Sequence, residues 1–247
     1  ETLKAIHQLP FLQLKGIHSH IGSQIFSSQS FIEASKILLD FIEICKENGL
    51  DISILNLGGG FGVYYTEEDT PFDIPEFLKK LSSILEEELN TRRLQLEEIW
   101  LEPGRSLVNE SGTMLYEIGD IKKIENEANY AFINGGMGDN LRVSLYGAKY
   151  EAVIANRLDE NPQTLWRVAG KYCESGDILL KDIPLVSPQK GDILAVLRTG
   201  AYTFSMFSNY NRLRRPAVVF VSDEGSRLVV KRESLEDLIA LDMEAGK

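Results

Sequence analysis

Cysteine is scarce: the 247 residues hold only Cys45 and Cys173, too few and too far apart for a disulfide framework or a structural zinc site, which points to a reducing compartment. Long apolar runs are missing too. Charge or glycine interrupts the longest of them well short of the roughly 20 residues a bilayer-spanning helix needs, so no transmembrane segment is expected. Basic residues are in deficit, with 26 Lys and Arg against 37 Asp and Glu for a net charge of −11, and there is no basic tail. Nucleic acid and anionic membranes are therefore unfavourable partners. The chain opens on Glu1 without methionine, signal peptide or transit segment, and residues 1–9 read as the tail of an amphipathic helix, the pattern of a fragment that starts inside a domain. A hydrophobic share of 43% excludes disorder. The expectation is a soluble globular protein, with the cytoplasm as its default location.

Three strand-then-helix segments follow one another. Phe11 to His20 reads as a strand ending in polar residues, and Ser30 to Asn48 as a helix with Phe31, Ala34, Ile37, Leu38, Phe41, Ile42 and Cys45 on one face and Gly49 as its stop. Ile52 to Leu57 is a buried strand running into Gly58-Gly59-Gly60-Phe61-Gly62. Pro75 to Leu89 is helical through Phe77, Leu78, Leu81, Ile84 and Leu85, and Leu96 to Leu101 is a third strand ending at Glu102-Pro103-Gly104-Arg105. This order implies parallel strands with their polar tips at one end of the sheet. Beyond about residue 106 the chain becomes mostly β: strands are expected at Leu107–Lys122, Tyr130–Ile133, Thr164–Val168, Asp192–Leu197, Ala217–Val221 and Arg227–Lys231, with a last helix at Leu235–Ala245. The join falls near residue 110, giving regions 1–110 and 111–247. Three βα units cannot close a barrel that needs eight, so the expected fold is the C-terminal part of a parallel (β/α)8 barrel followed by a mostly antiparallel β-domain whose last helix packs back on the barrel.

Reactive groups of parallel sheets collect at the carboxyl ends of the strands, where His20, the glycine triplet, Glu102 and Arg105 all fall. Consecutive glycines let backbone N–H groups approach an anion closely, although a tight turn with positive φ explains them equally well. Glu102 and Arg105 would also suit a local ion pair, and His20 a satisfied core histidine. Together, a phosphate cradle, a flat imidazole, a fixed carboxylate and a guanidinium describe a pocket for a phosphorylated heteroaromatic cofactor. Pyridoxal 5'-phosphate has that chemistry.

Six runs carry a resemblance to a known family: His18-Ser19-His20-Ile21-Gly22-Ser23-Gln24, Gly58 to Gly62, Glu102 to Arg105, Tyr146-Gly147-Ala148-Lys149-Tyr150, Cys173-Glu174-Ser175-Gly176-Asp177, and Gly200-Ala201-Tyr202-Thr203-Phe204-Ser205-Met206. In this order, followed by Asn209-Tyr210-Asn211 and Arg215-Pro216, they make the chain similar to the meso-diaminopimelate decarboxylases, within the alanine-racemase-like barrel group of pyridoxal-phosphate enzymes. The resemblance implies decarboxylation of meso-2,6-diaminoheptanedioate to L-lysine, the last step of lysine biosynthesis. It also implies roles. His20 would stack on the cofactor ring, Ser23, Gly58, Gly59, Gly60 and Tyr202 would hold its phosphate with Arg105 beside them, and Glu102 would face the pyridine nitrogen as a buried carboxylate. Arg105, Arg142, Tyr146 and Tyr202 would grip the substrate, a task suited to guanidinium forks, and Glu174 would take its distal ammonium. Cys173 would return a proton to the α-carbon, whereas Cys45, on the apolar face of a helix, reads as a small core residue. In the family the Cys173 run crosses a two-fold interface, so a homodimer with Cys173 and Glu174 entering the partner's site is implied. No metal is expected.

Departures from the family pattern are as informative. No Tyr-Ala-x-Lys-Ala-like segment supplies the Schiff-base lysine, and neither Lys15 nor Lys149 stands in a position to replace it. Asn134 stands where the family pattern has Asp, which puts a local hydrogen bond in doubt. The isolated chain is accordingly expected to be inactive, with an open barrel edge prone to aggregation. Two alternatives stand beside the first reading: a lysine-less regulatory homologue, and a decarboxylase of ornithine, arginine or carboxynorspermidine. Arg142 with Glu174 favours a substrate that carries both carboxylate and ammonium at its far end.

Overall fold

A computed structural model describes residues 2–125 and 128–243. The chain divides between Val108 and Asn109 into two compact units. The first opens on a short helix, α1 (Thr2–His7), and is then built on three parallel strands, β1 (Gly16–His18), β2 (Ile54–Asn56) and β3 (Glu98–Trp100), in the order β1-β2-β3. Two long helices connect them, α2 (Ser28–Glu47) and α3 (Ile74–Arg92). Asp73 starts α3 by accepting a bond from the Glu76 amide at 2.8 Å, and left-handed Arg93 ends it. Each strand is shorter than its apolar run, because ladder pairing lasts for only three residues and the flanking segments turn to loop contacts.

The buried face of α2 is rotated from the expected stripe. Phe31, Ile32, Ser35, Leu39, Ile42 and Cys45 are buried, whereas Ile37 and Phe41 are exposed. The helix carries apolar residues over more than one face, and periodicity alone does not choose between them. On α3, Phe77, Leu81 and Leu85 face the core, but Leu78 does not. Four phenylalanines, Phe31, Phe61, Phe72 and Phe77, meet edge to face or tilted with centroids 4.9–6.1 Å apart. Such pairs contribute about 0.5–1.5 kcal/mol each, and Phe61 is the residue directly after the glycine triplet, so the core anchors that turn.

After β3 a short helix, α4 (Gly104–Val108), replaces the start of the strand expected from Leu107. Strand structure begins only at Met114, where Val196 offers a partner. The second unit contains β4 (Met114–Lys122), β5 (Asn129–Ile133), α5 (Arg142–Tyr146), β6 (Ala152–Ile154), β7 (Thr164–Ala169), β8 (Ile178–Leu185), β9 (Ile193–Val196), β10 (Val218–Ser222), β11 (Gly225–Val230) and α6 (Leu235–Ile239). Six strands form one sheet in the order β6-β9-β4-β5-β7-β8, mixed rather than purely antiparallel because β5 and β7 run parallel; β10 and β11 form a separate hairpin. Edge strands β6 and β8 lie in contact.

Neither β6 nor β8 is among the strands expected from sequence, and the Lys181-Asp182-Ile183-Pro184 segment of β8 breaks its apolar pattern. The strand is tolerated because it lies at the end of the sheet order, where proline and bulges are accommodated. The last helix is shorter than expected and ends at Ile239, after which Asp242 pairs with Arg212 at 2.6 Å; its expected end at Ala245 lies outside the described residues. Asn134 accepts the Glu117 amide on its Oδ1 at 3.1 Å.

Candidate functional site

In the first unit the polar tips of all three strands meet. Asn56, the last residue of β2, donates through Nδ2 to Glu102 Oε1 at 2.9 Å and accepts the Gly58 amide on Oδ1 at 2.8 Å. The Glu102 amide bonds Gly58 O at 2.8 Å, and Glu102 Oε2 lies 3.5 Å from His18 Nε2. The carboxylate is thus fixed beside the glycine turn, but it is not buried: its side chain is 53% exposed. This exposure corrects the expectation of a buried Glu102. His20 is exposed as well, and its Nδ1 accepts the Gly59 amide at 3.3 Å.

Close approach explains the glycines. A side chain on Gly59 would overlap the Glu102 carbonyl, and one on Gly60, at φ +96, would overlap the Gly22 carbonyl. Two of the three amides already have partners, Gly58 in Asn56 and Gly59 in His20. An anion held by this turn therefore shares those N–H groups with the protein. The loop that follows β1 is zipped to the segment after the triplet, with the Ile25 amide on Gly60 O at 2.9 Å and Gln24 bonded through its side chain to both N and O of Val63. This pairing sets Ser23, whose Oγ accepts from Arg105 Nη2 at 2.9 Å. Arg105, 9% exposed, also donates to the Tyr65 hydroxyl. The local Glu102–Arg105 pair considered from sequence is replaced by these contacts.

The second unit gathers the remaining residues. Arg142, the first residue of α5, is 8% exposed and donates through Nε to the Tyr150 hydroxyl at 3.0 Å; its guanidinium lies 5.7 Å from the Tyr146 ring centroid and 5.9 Å from that of Tyr202. Cation–π contact and the phenol bond together fix the direction of the fork. Tyr202 has φ +59, a conformation costly for a bulky residue and found where surrounding structure imposes it. Ser144 of α5 donates to Gly176 O at 3.1 Å, tying the Arg142 helix to the Cys173–Asp177 segment.

The segment's own Asp177 ties it to the turn at 136–139, which Asp139 closes. Asp177, 3% exposed, accepts the amides of Met137 at 2.6 Å and Tyr172 at 2.8 Å, while Asp139 accepts that of Gly136 at 2.8 Å. Burial pushes the Asp139 carboxyl up to about 6 and lifts the Tyr116 and Tyr172 phenols, with the two carboxylates adding to the rise. Gly136, at φ +149, has no room for a side chain because Asp177 fills that space. Cys173 itself is exposed and left-handed at φ +60, and Glu174 accepts a bond from Tyr210.

Sequence reasoning overlooked Asn56, Tyr65, Tyr150, Asp139, Asp177 and Tyr210 as site residues. Asn56 stands out as a polar residue within the apolar run Ile52–Leu57, and Tyr150, Asp177 and Tyr210 lie inside the family-like runs; Tyr65 and Asp139 carry no signal. Among the described residues no group of three His, Cys, Asp or Glu is placed to hold a metal, and no helix is long and apolar enough to cross a membrane.

Comparison with known proteins gives the same direction in sequence and in fold. The family described as pyridoxal-dependent decarboxylase, pyridoxal binding domain, matches residues 1–109. A diaminopimelate decarboxylase of Halalkalibacterium halodurans is 48% identical over 233 residues, 94% of this chain and 53% of the relative. The Bacillus subtilis diaminopimelate decarboxylase is 45% identical over 247 residues, 98% of this chain and 56% of the relative. A solved diaminopimelate decarboxylase from M. jannaschii, in complex with L-lysine, superposes with a TM-score of 0.89 at 31% identity, covering 98% of this chain and 55% of that one. The chain spans about half the length of the relatives it matches.

Proposed function

We propose that this chain, a homologue of the diaminopimelate decarboxylases of the pyridoxal-dependent decarboxylase family, serves the decarboxylation of meso-2,6-diaminoheptanedioate to L-lysine and carbon dioxide. One observation carries the reading: the 48%-identical match covers 94% of the chain and so reaches both units. In fold terms residues 1–110 serve as the cofactor-holding part of a parallel βα-barrel, and residues 111–247 as the accompanying β-domain.

The residues fit pyridoxal phosphate. A glycine cradle that side chains would fill, a hydroxyl and a guanidinium suit a phosphate, and a carboxylate backed by Asn56 and His18 suits a ring cation. When bound, the cofactor supplies an electron sink for the pair left on the α-carbon as carbon dioxide departs. Glu102 would hold the proton on the pyridine nitrogen, its carboxylate oriented by the Asn56 bond. His20 would stack its ring on the cofactor. Ser23 with Gly58, Gly59, Gly60, Arg105 and Tyr202 would receive the phosphate.

On the substrate, Arg142 would grip the distal carboxylate, with Tyr146 and Tyr202 flanking the guanidinium and Arg105 contributing charge. Glu174 would take the distal ammonium. Cys173 Sγ would give its proton to the α-carbon, and because it is exposed on a segment held in place by Asp177, it is suited to act in the site of a second copy. We infer a homodimer with Cys173 and Glu174 crossing to the partner's site, working in the cytoplasm. The assay is carbon dioxide release by the protein made from the complete reading frame, supplied with pyridoxal phosphate and either meso-diaminopimelate or L-ornithine. Turnover of diaminopimelate is expected, with kcat falling about 100-fold in Cys173→Ala; faster turnover of ornithine overturns the substrate assignment.

A further inference from the structure

We propose that Tyr210 is a specificity-determining positioning residue that holds Glu174 for the distal ammonium of the substrate, a role that rests on the decarboxylase reading above. The Tyr210 hydroxyl donates to Glu174 Oε1. That bond occupies one carboxylate oxygen and fixes the torsion of a solvent-exposed side chain, leaving Oε2 as the acceptor for a cation. Glu174 in turn raises the pKa of the phenol, which keeps the donor proton in place.

An exposed Glu–Tyr contact on a mobile surface would mean little, but here both partners are clamped. The Tyr210 ring stacks on the buried ring of Tyr172, with planes 4° apart and centroids at 6.3 Å. Next to it, Asn211 donates through Nδ2 to Tyr172 O at 2.7 Å. On the other side Asn209 reaches Glu233 at 2.6 Å and Leu213 O at 3.0 Å, and the Tyr210 amide bonds Ser208 Oγ at 3.2 Å. Both segments also carry left-handed residues other than glycine at the point of contact, Cys173 at φ +60 and Asn211 at φ +55. Such conformations persist only where neighbours over-determine them, and they cluster at ligand clamps. Tyr172, buried and bonded through its amide to Asp177, is the pivot against which the 209–211 turn sets Glu174.

A hydrogen bond to a charged group that is made while ligand is held affects binding of the group it orients and leaves the chemical step unchanged. Tyr210→Phe removes only the hydroxyl and keeps the stacked ring, which is 44% exposed. In the holoenzyme from the complete reading frame we expect KM for meso-diaminopimelate to rise about tenfold with kcat within about twofold. The inhibition constant of 2-aminoheptanedioate, which lacks the distal ammonium, should stay within about twofold, and Tyr210→Phe should add nothing further in a Glu174→Gln background. If the unsubstituted enzyme turns over diaminopimelate but Tyr210→Phe leaves KM unchanged, lowers kcat alone, or weakens both compounds equally, this role is overturned and the decarboxylase reading stands. If the unsubstituted enzyme releases no carbon dioxide from diaminopimelate, that reading falls and takes this role with it.

Discussion

In the first unit Glu102 is about half exposed and is held by Asn56 and His18 at the tips of neighbouring strands, whereas in the second Asp177 is 3% exposed and itself holds the backbone of two loops. The first arrangement positions a polar group from a regular parallel sheet. It needs little more than strand order and glycines that let three loops touch, and it leaves the carboxylate accessible. The second positions loops that lead on from the ends of its ladders, by turning buried carboxylates toward their amides and by accepting left-handed backbone at Cys173 and Tyr202. Regular secondary structure is therefore the anchor on one side, and a desolvated polar network on the other.

Removing the network's centre should have the largest effect. Asp177→Ala leaves the amides of Met137 and Tyr172 without their acceptor, and unfolding in urea should show a loss of about 4 kcal/mol. Asp177→Asn, which retains one acceptor oxygen, should lose roughly half of that. A result under about 1 kcal/mol for the alanine variant would erase the contrast between the units. On the strand-tip side, Gly59→Ala forces the Glu102 carbonyl away and should cost about 3 kcal/mol, together with loss of pyridoxal phosphate binding followed by absorbance.

Titration sharpens the comparison further. Because burial raises the Asp139 carboxyl to about 6, the folded chain keeps its proton at a pH where the unfolded chain, near 3.9, has lost it. The contribution to stability is complete below about pH 4 and disappears as pH rises through about 6, roughly 2–3 kcal/mol in all. Asp139→Asn should flatten this part of the stability curve, and an unchanged curve would remove the case for a desolvated carboxylate. The smallest effect belongs to the surface of the first unit, where Arg92 spans Asp40, Glu43 and Glu88 at 2.5–3.0 Å between α2 and α3. Solvent screens these pairs, so Arg92→Ala should cost about 1 kcal/mol and less in high salt.

Much of the site was visible as quoted runs because the residues that touch there are close along the chain. Gly58 to Gly60 begin two residues after β2, Glu102 lies two residues after β3, and Cys173 to Asp177 occupy one loop. The parts that were missed depend on contacts between distant positions. Tyr65 reaches Arg105 across 40 residues, Tyr210 reaches Glu174 across 36, and Asp177 reaches Met137 across 40. No local pattern marks such pairs. The same cause explains the rotated face of α2: Ile37 and Phe41 satisfy helical spacing as well as Leu39 does, and packing against α3 chose between them.

Local chemistry was sufficient for the elements themselves. Apolar spacing specified α2 and α3, short apolar runs specified most strands of the second unit, and strand-helix order made the first sheet parallel, since each of these follows from backbone geometry within a few residues. Exposure was another matter. Whether Glu102 lies in water, whether a carboxylate such as Asp139 keeps its proton, and which phenol meets which acid depend on what distant segments bring alongside, and desolvation and hydrogen bonding act through space without regard to chain distance.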